Sequence, residues 1–139
     1  LAAMFHDVLL VLAFYSVAWG RLPFSLEIDQ AFIAAILTVV GYSINDTVIV
    51  FDRIREYLSE KVSKNKLSII NDALNSTLSR TINTSLTTFV VLLMIFIFGG
   101  DSIRGFVFAL MVGVFFGTYS SLCIATPLVV DLRKGELTE

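Results

Sequence analysis

Four apolar runs, each close to the ~20 residues a helix needs to cross a bilayer, constrain this 139-residue chain more than any other feature. They cover roughly 1–19, 28–51, 81–98 and 103–130. In hydrocarbon a backbone must satisfy its own N–H and C=O groups, so such runs predict helices. The expected fold is all-α: a polytopic membrane domain of four spanning helices occupying 1–139. Composition agrees. Apolar residues make up 56% of the chain and charged residues only 16%, against about 25% charged in a soluble domain, and the mean hydropathy is +0.83.

The connections set an orientation. Arg53, Arg55, Lys61, Lys64 and Lys66 fall in the 52–66 connection, and Arg133 and Lys134 in the tail. The other two connections hold only Arg21 and Arg104. Basic loops stay in the cytoplasm, which places both ends and the middle connection inside. The stretch after 51 continues the second helix out of the membrane, with Arg53, Glu56 and Glu60 on a solvated face. Leu67, Ile70, Leu74 and Leu78 then recur at three- and four-residue steps. That period predicts an amphipathic helix over about 67–79 lying in the interface plane.

In the last run Gly105, Ala109, Gly113, Gly117, Ser121 and Ala125 recur every fourth residue. Small side chains at that spacing let helices approach closely in lipid, so this face reads as a packing seam without chemistry. The first run is no signal peptide, since it lacks a basic n-region and carries His6 and Asp7. With Leu1 in first place, the chain reads as the later part of something longer.

Several function classes drop out. A net charge of −2 disfavours nucleic acid and anionic surfaces as partners. One cysteine, Cys123, offers no disulfide framework, and neither metal-ligand spacing nor a phosphate loop is present, so no metal or cofactor is expected. With His6 the only histidine, nucleophilic chemistry is not expected.

The exception to the greasy pattern is GYSINDTVIVFDRIRE, 41–56. Asp46 falls about 9 Å before Asp52 along a helix, inside the membrane and nearer the cytoplasm. An isolated carboxylate there costs about 2.5–3.5 kcal/mol, so it needs a partner, a proton or water. On a helical wheel Thr38, Gly41, Tyr42, Asn45, Asp46 and Arg53 share a polar stripe. In the third run Ser76, Arg80, Asn83, Thr84, Thr87 and Thr88 share another. Arg80 is expected at about the depth of Asp46. Burial would raise the acid's pKa and a nearby Arg⁺ would lower it, so the pair suits a proton relay. A static buried ion pair fixing register is the competing reading. His6-Asp7, near the mouth of the first run, reads first as an interface marker.

GYSINDTVIVFDRIRE, together with TLSRTINTSLTTF, IRGFVFALMVGVFFGTYSS and the HD of LAAMFHDVLLVL, resembles the SecF component of the SecD/SecF protein-export membrane proteins, or the SecF-like half of a fused SecDF. The resemblance covers essentially the whole chain. It implies helices three to six of a six-helix transmembrane half of the RND superfamily, in the bacterial cytoplasmic membrane. The implied activity is proton-driven assistance to late preprotein export beside the SecYEG channel, with SecD as partner. Asp46 and Arg80 match the family positions associated with proton conduction. The carboxylate a SecD half would supply has no counterpart in these residues. On this reading Asp46 titrates, Arg80 modulates it, and Tyr42, Asn45, Asn83, Thr84 and Thr87 support them. A purely structural translocon scaffold and a small-molecule exporter are the alternatives.

Overall fold

The computed structural model describes residues 1–60 and 66–132. They form α1 (Ala2–Ala18), α2 (Gln30–Glu60), α3 (Lys66–Phe98), α4 (Asp101–Ser120), a π-helical segment (Ser121–Ala125) and α5 (Thr126–Leu132). No strand occurs among the described residues. The four expected spans correspond to α1, α2, α3 and the continuous stretch from α4 through α5. Three of these are long and apolar enough to cross a membrane, while α1 is a shorter apolar helix of 17 residues. Lys61, Lys64, Arg133 and Lys134, which weighed in the expected orientation, lie outside the described residues.

Local chemistry sets the helix ends. At the end of α1, Gly20 adopts φ +68°, a left-handed conformation that glycine takes without a Cβ clash. Asp29 caps α2: its Oδ1 accepts the Phe32 backbone N–H at 2.8 Å, satisfying one of the unpaired first-turn donors. Near the chain's last described turn, Pro127 has no N–H to give to the Cys123 carbonyl, and its ring crowds that group. The π-helical turn over 121–125 directly precedes it. There the ladder widens to the fifth residue, and the Thr126 hydroxyl donates to the Ser121 carbonyl at 3.4 Å.

The separate interfacial helix expected over 67–79 does not exist as such. It is the first part of α3, which runs unbroken from Lys66 to Phe98. The reason is visible in the sequence: this stretch contains neither Gly nor Pro. Its Ser and Thr residues do not compete for the ladder either. Ser76 and Thr77 donate back to the Ala73 carbonyl at 2.7 and 3.3 Å. Of the expected apolar stripe, Ile70 is buried with its neighbour Ala73 against Val50 and Ile54 of α2 and Leu74 is half-buried there, while Leu67 and Leu78 are exposed. At 1.5 Å per residue α2 and α3 are about 46 and 50 Å long, well beyond a ~30 Å hydrocarbon layer. Their ends pack together through Val50, Ile54, Ile70 and Ala73.

Packing is densest where α4 meets its neighbours. A Cβ added to Gly113 would lie 2.0 Å from Val39 Cγ2, so α2 and α4 touch there through backbone and valine. Ala109, Gly113, Gly117, Ser121 and Ala125 are buried and Gly105 is half-buried. At Gly105 a Cβ would meet the Ser25 carbonyl oxygen at 2.8 Å. The Tyr15 hydroxyl donates to the Gly105 carbonyl, fastening α1 to α4.

Candidate functional site

Buried residues in this bundle are sorted by level along the helices. One apolar cluster joins Val11 and Tyr15 of α1, Phe32, Ala35 and Val39 of α2, Leu92 of α3 and Val107 to Val114 of α4. A second joins Val50 and Ile54 with Ile70 and Ala73. Between them, every helix turns polar on its buried face. The buried polar residues there are Asp7 on α1, Ser43 and Asp46 on α2, Thr77, Thr81 and Ser85 on α3, and Ser120 and Ser121 at the α4 end. On α2 and α3 they lie between the two apolar contributions of the helix, and Asp7 of α1 joins their level through its hydrogen bonds to Ser43 and Ser120.

Asp46 is 2% exposed, and its Oδ2 has no hydrogen-bonding partner among the described residues. Leaving a buried acceptor unmet costs about 1–3 kcal/mol, and more when the group is charged. Around it the layer is rich in hydroxyls that already bond across helices. Thr47 and Ser121 share a hydrogen bond at 3.1 Å, Tyr42 donates to Ser85 at 3.3 Å, and Thr118 donates to the same Ser85 oxygen at 2.6 Å. A hydroxyl both gives and accepts a proton, so the layer can carry a hydrogen-bond chain where a lipid-facing surface could not.

Asp7 lies in the same layer at 1% exposure. Its Oδ2 accepts the Ser43 and Ser120 hydroxyls, both at 2.7 Å, and its Oδ1 is 3.3 Å from His6 Nδ1. This residue is a buried knot of three helices. The expectation of an interface marker is corrected accordingly.

The polar stripes themselves divide. On α2, Asp46 turns inward with Ser43, while Thr38, Gly41 and Asn45 are exposed and Tyr42 is half-buried. On α3, Thr77, Thr81 and Ser85 turn inward, while Arg80, Asn83, Thr84 and Thr87 are exposed. A helical wheel shows that α3 is polar over a broad arc but not which part of the arc faces the bundle. Arg80 therefore does not meet Asp46. No hydrogen bond or ion pair joins them among the described residues, and Arg80 instead borders a groove with Ile49, Asp52, Arg53, Glu56, Ser76 and Thr77. Thr84 and Thr87 return their hydroxyls to the Arg80 and Asn83 carbonyls at 2.8 and 2.9 Å. That leaves Arg80 and Asn83 as the outward functional groups of this face. Among the described residues no His, Cys, Asp and Glu cluster is arranged to hold a metal.

Thr118 and Ser120 bond into this polar layer and were not among the expected site residues. Their signal was present: Thr118, Ser120 and Ser121 crowd four positions of an otherwise apolar run. The four-residue rhythm of small side chains absorbed Ser121 into the seam and hid its two neighbours.

These features define an all-α membrane domain whose interior carries two carboxylates in a hydroxyl-rich layer. Residues 1–135 match the C-terminal family of the protein export membrane proteins SecD/SecF, and the chain belongs to that family. It is 58% identical over 131 residues to the protein translocase subunit SecF of Rhodothermus marinus, covering 94% of this chain and 42% of that one. Identity to the SecF of Petrotoga mobilis is 48% over 132 residues, covering 95% and 42%. The fold superposes on the crystal structure of SecDF, a translocon-associated membrane protein from Thermus thermophilus. The TM-score is 0.83 at 43% identity, over 96% of this chain and 18% of that chain. A second SecDF structure, in the super-membrane-facing form, gives 0.80 at 39% identity, covering 97% and 18%. The chain thus spans about two fifths of the length of these SecF relatives.

Proposed function

We propose that this chain is the transmembrane part of a Sec translocase accessory subunit, working with SecD beside the SecYEG channel to promote late preprotein export across the bacterial cytoplasmic membrane. Proton movement through the hydroxyl layer, with Asp46 as the carrying carboxylate, would supply the energy. The observation that carries this reading is Asp46 itself: a carboxylate 2% exposed, at membrane level, with an unmet oxygen inside a bundle of this family. Such a group is costly at that depth, and intramembrane carboxylates in transporters mark proton pathways.

Arg80 takes a different part from the one expected. It lies with Asn83 on a polar face that lipid would not tolerate. That face is proposed to meet the SecD half, where Arg80 can reach a carboxylate contributed by the partner or swing toward Asp46 when the halves move. The small-residue seam of α4 lets the bundle shift as a unit.

The test is Asp46→Asn in the full-length subunit reconstituted with SecD and SecYEG. It keeps the side-chain shape and abolishes titration. Proton-dependent preprotein export should fall to the level seen without a proton gradient, while ATP-driven export persists. Wild-type rates in the variant would refute the relay and leave the scaffold reading.

A further inference from the structure

The mechanism proposed for Asp46 makes no use of the other buried carboxylate. We propose that Asp7 is a second proton-binding site of this domain, exchanging its proton with His6 at the bundle surface and holding it against the Ser43 and Ser120 hydroxyls inside. This rests on the reading of the bundle as proton-coupled, and adds to it a station that reading does not assign.

The geometry is that of a site rather than a spacer. Asp7 is 1% exposed, so water does not solvate it from outside the bundle. One carboxylate oxygen takes two hydroxyl donors from two different helices at 2.7 Å. The other oxygen faces His6 Nδ1 at 3.3 Å, and the His6 side chain is 38% exposed. The pair therefore has one buried and one accessible end. Exchange across it is balanced: the Nδ1–H bond of an imidazolium breaks, an O–H bond forms at Asp7 Oδ1, and imidazole plus carboxylic acid replace the ion pair. Histidine is the side chain whose charge changes in the physiological range.

The inner end has somewhere to pass a proton. Ser43 precedes Asp46 by three residues on the buried face of α2, about 4.5 Å along the axis. Ser120 also donates to the Gly117 carbonyl at 3.2 Å, so its hydroxyl has two acceptors between which it can turn. Among groups that could bias Asp7, α1 contributes His6 and the buried face of α2 contributes Asp46. The α4 end presents Ser120, Ser121 and Gly117, with Tyr119 turned outward at 54% exposure. A Cβ at Gly117 would stand 3.8 Å from Asp7 Oδ2, an ordinary contact that places this oxygen against the α4 backbone.

The experiment uses the full-length subunit with its SecD partner in proteoliposomes, reading proton flux and infrared difference spectra on a pH step. Asp7→Asn should lower flux at least tenfold and remove a carboxyl C=O band that persists in Asp46→Asn, while Asp7→Glu recovers part of both. His6→Gln, at a half-exposed position, should move the pH profile of flux without changing protein yield. Wild-type flux and an unchanged band pattern in Asp7→Asn would overturn the proposal and leave Asp7 a static tie. Should Asp7→Asn fail to assemble, an unmoved pH profile in His6→Gln overturns it instead. Loss of flux in Asp46→Asn alone would sink only this proposal, whereas wild-type flux in both Asp variants would sink the proton-coupled reading as well.

Discussion

Gly113→Ala is the most demanding test of how this bundle is built. The new methyl would stand 2.0 Å from Val39 Cγ2, 2.7 Å from Cγ1 and 2.9 Å from Cβ. Carbon atoms settle at about 3.5–4.0 Å, so α2 and α4 must part locally by about 1.5–2 Å or Val39 must leave its rotamer. Overpacking of this kind costs about 1–3 kcal/mol, a shift of roughly 5- to 150-fold in the unfolding equilibrium. Gly117→Ala is the internal control. Its methyl would meet Ser43 Cβ at 3.7 Å and Asp7 Oδ2 at 3.8 Å, which is ordinary contact, so stability should change by less than about 0.5 kcal/mol. The measurement is reversible unfolding of the full-length subunit in detergent, comparing both variants with Val39→Ala in the Gly113→Ala background. That double variant should recover part of the loss but not all, because Val39 Cβ remains. Equal stability for Gly113→Ala and Gly117→Ala would refute the claim that α2 and α4 meet backbone to side chain at this point.

Asp46→Asn carries a stability prediction separate from its effect on export. Breaking a buried ion pair costs about 3–5 kcal/mol, but Asp46 has no such partner among the described residues. The variant should therefore unfold within about 1 kcal/mol of wild type, and a loss of 3 kcal/mol or more in the same unfolding assay would restore the static-pair reading. Asp29→Ala removes the side-chain acceptor at the start of α2. It should cost about 1 kcal/mol, with faster hydrogen exchange confined to the first turn of that helix, and uniform protection across α2 would show that the cap contributes nothing.

What could be read from the residues, and what could not, divides along a physical line. The spans were legible because hydrocarbon imposes one requirement on every residue of a run, and a run of about 20 meets it or fails it. Asp46 was legible because a carboxylate violates that requirement in plain view. Whether Arg80 meets it at rest was not legible, because facing is a property of two helices together. Thr77, Thr81 and Ser85 offer α3 a polar inward face as good as that of Arg80, Asn83 and Thr84, and only packing against α2 and α4 chooses between them. The merged α3 was missed for a similar reason. An amphipathic period shows which side is apolar without saying whether lipid or another helix covers it, and Val50 and Ile54 cover only Ile70 and part of Leu74.

The same distinction explains the position of the two carboxylates. Apolar clusters pack on either side of the polar layer without needing hydrogen bonds from it. A layer bracketed in this way can keep an unmet acceptor at Asp46 without unfolding the domain, where the same defect at a helix end would simply fray. It can also change its protonation state while the clusters hold the four helices in register. Asp7 and Asp46 differ within that frame. Asp7 is tied by two serines and a histidine, so gaining a proton at Oδ1 weakens the acceptor that Oδ2 presents to α2 and α4. Asp46 has an oxygen free of such ties, so its charge can change without first breaking a bond at that atom. On the proton-coupled reading proposed above, a layer holding one fastened and one unfastened carboxylate would couple proton occupancy to helix contacts at the fastened one.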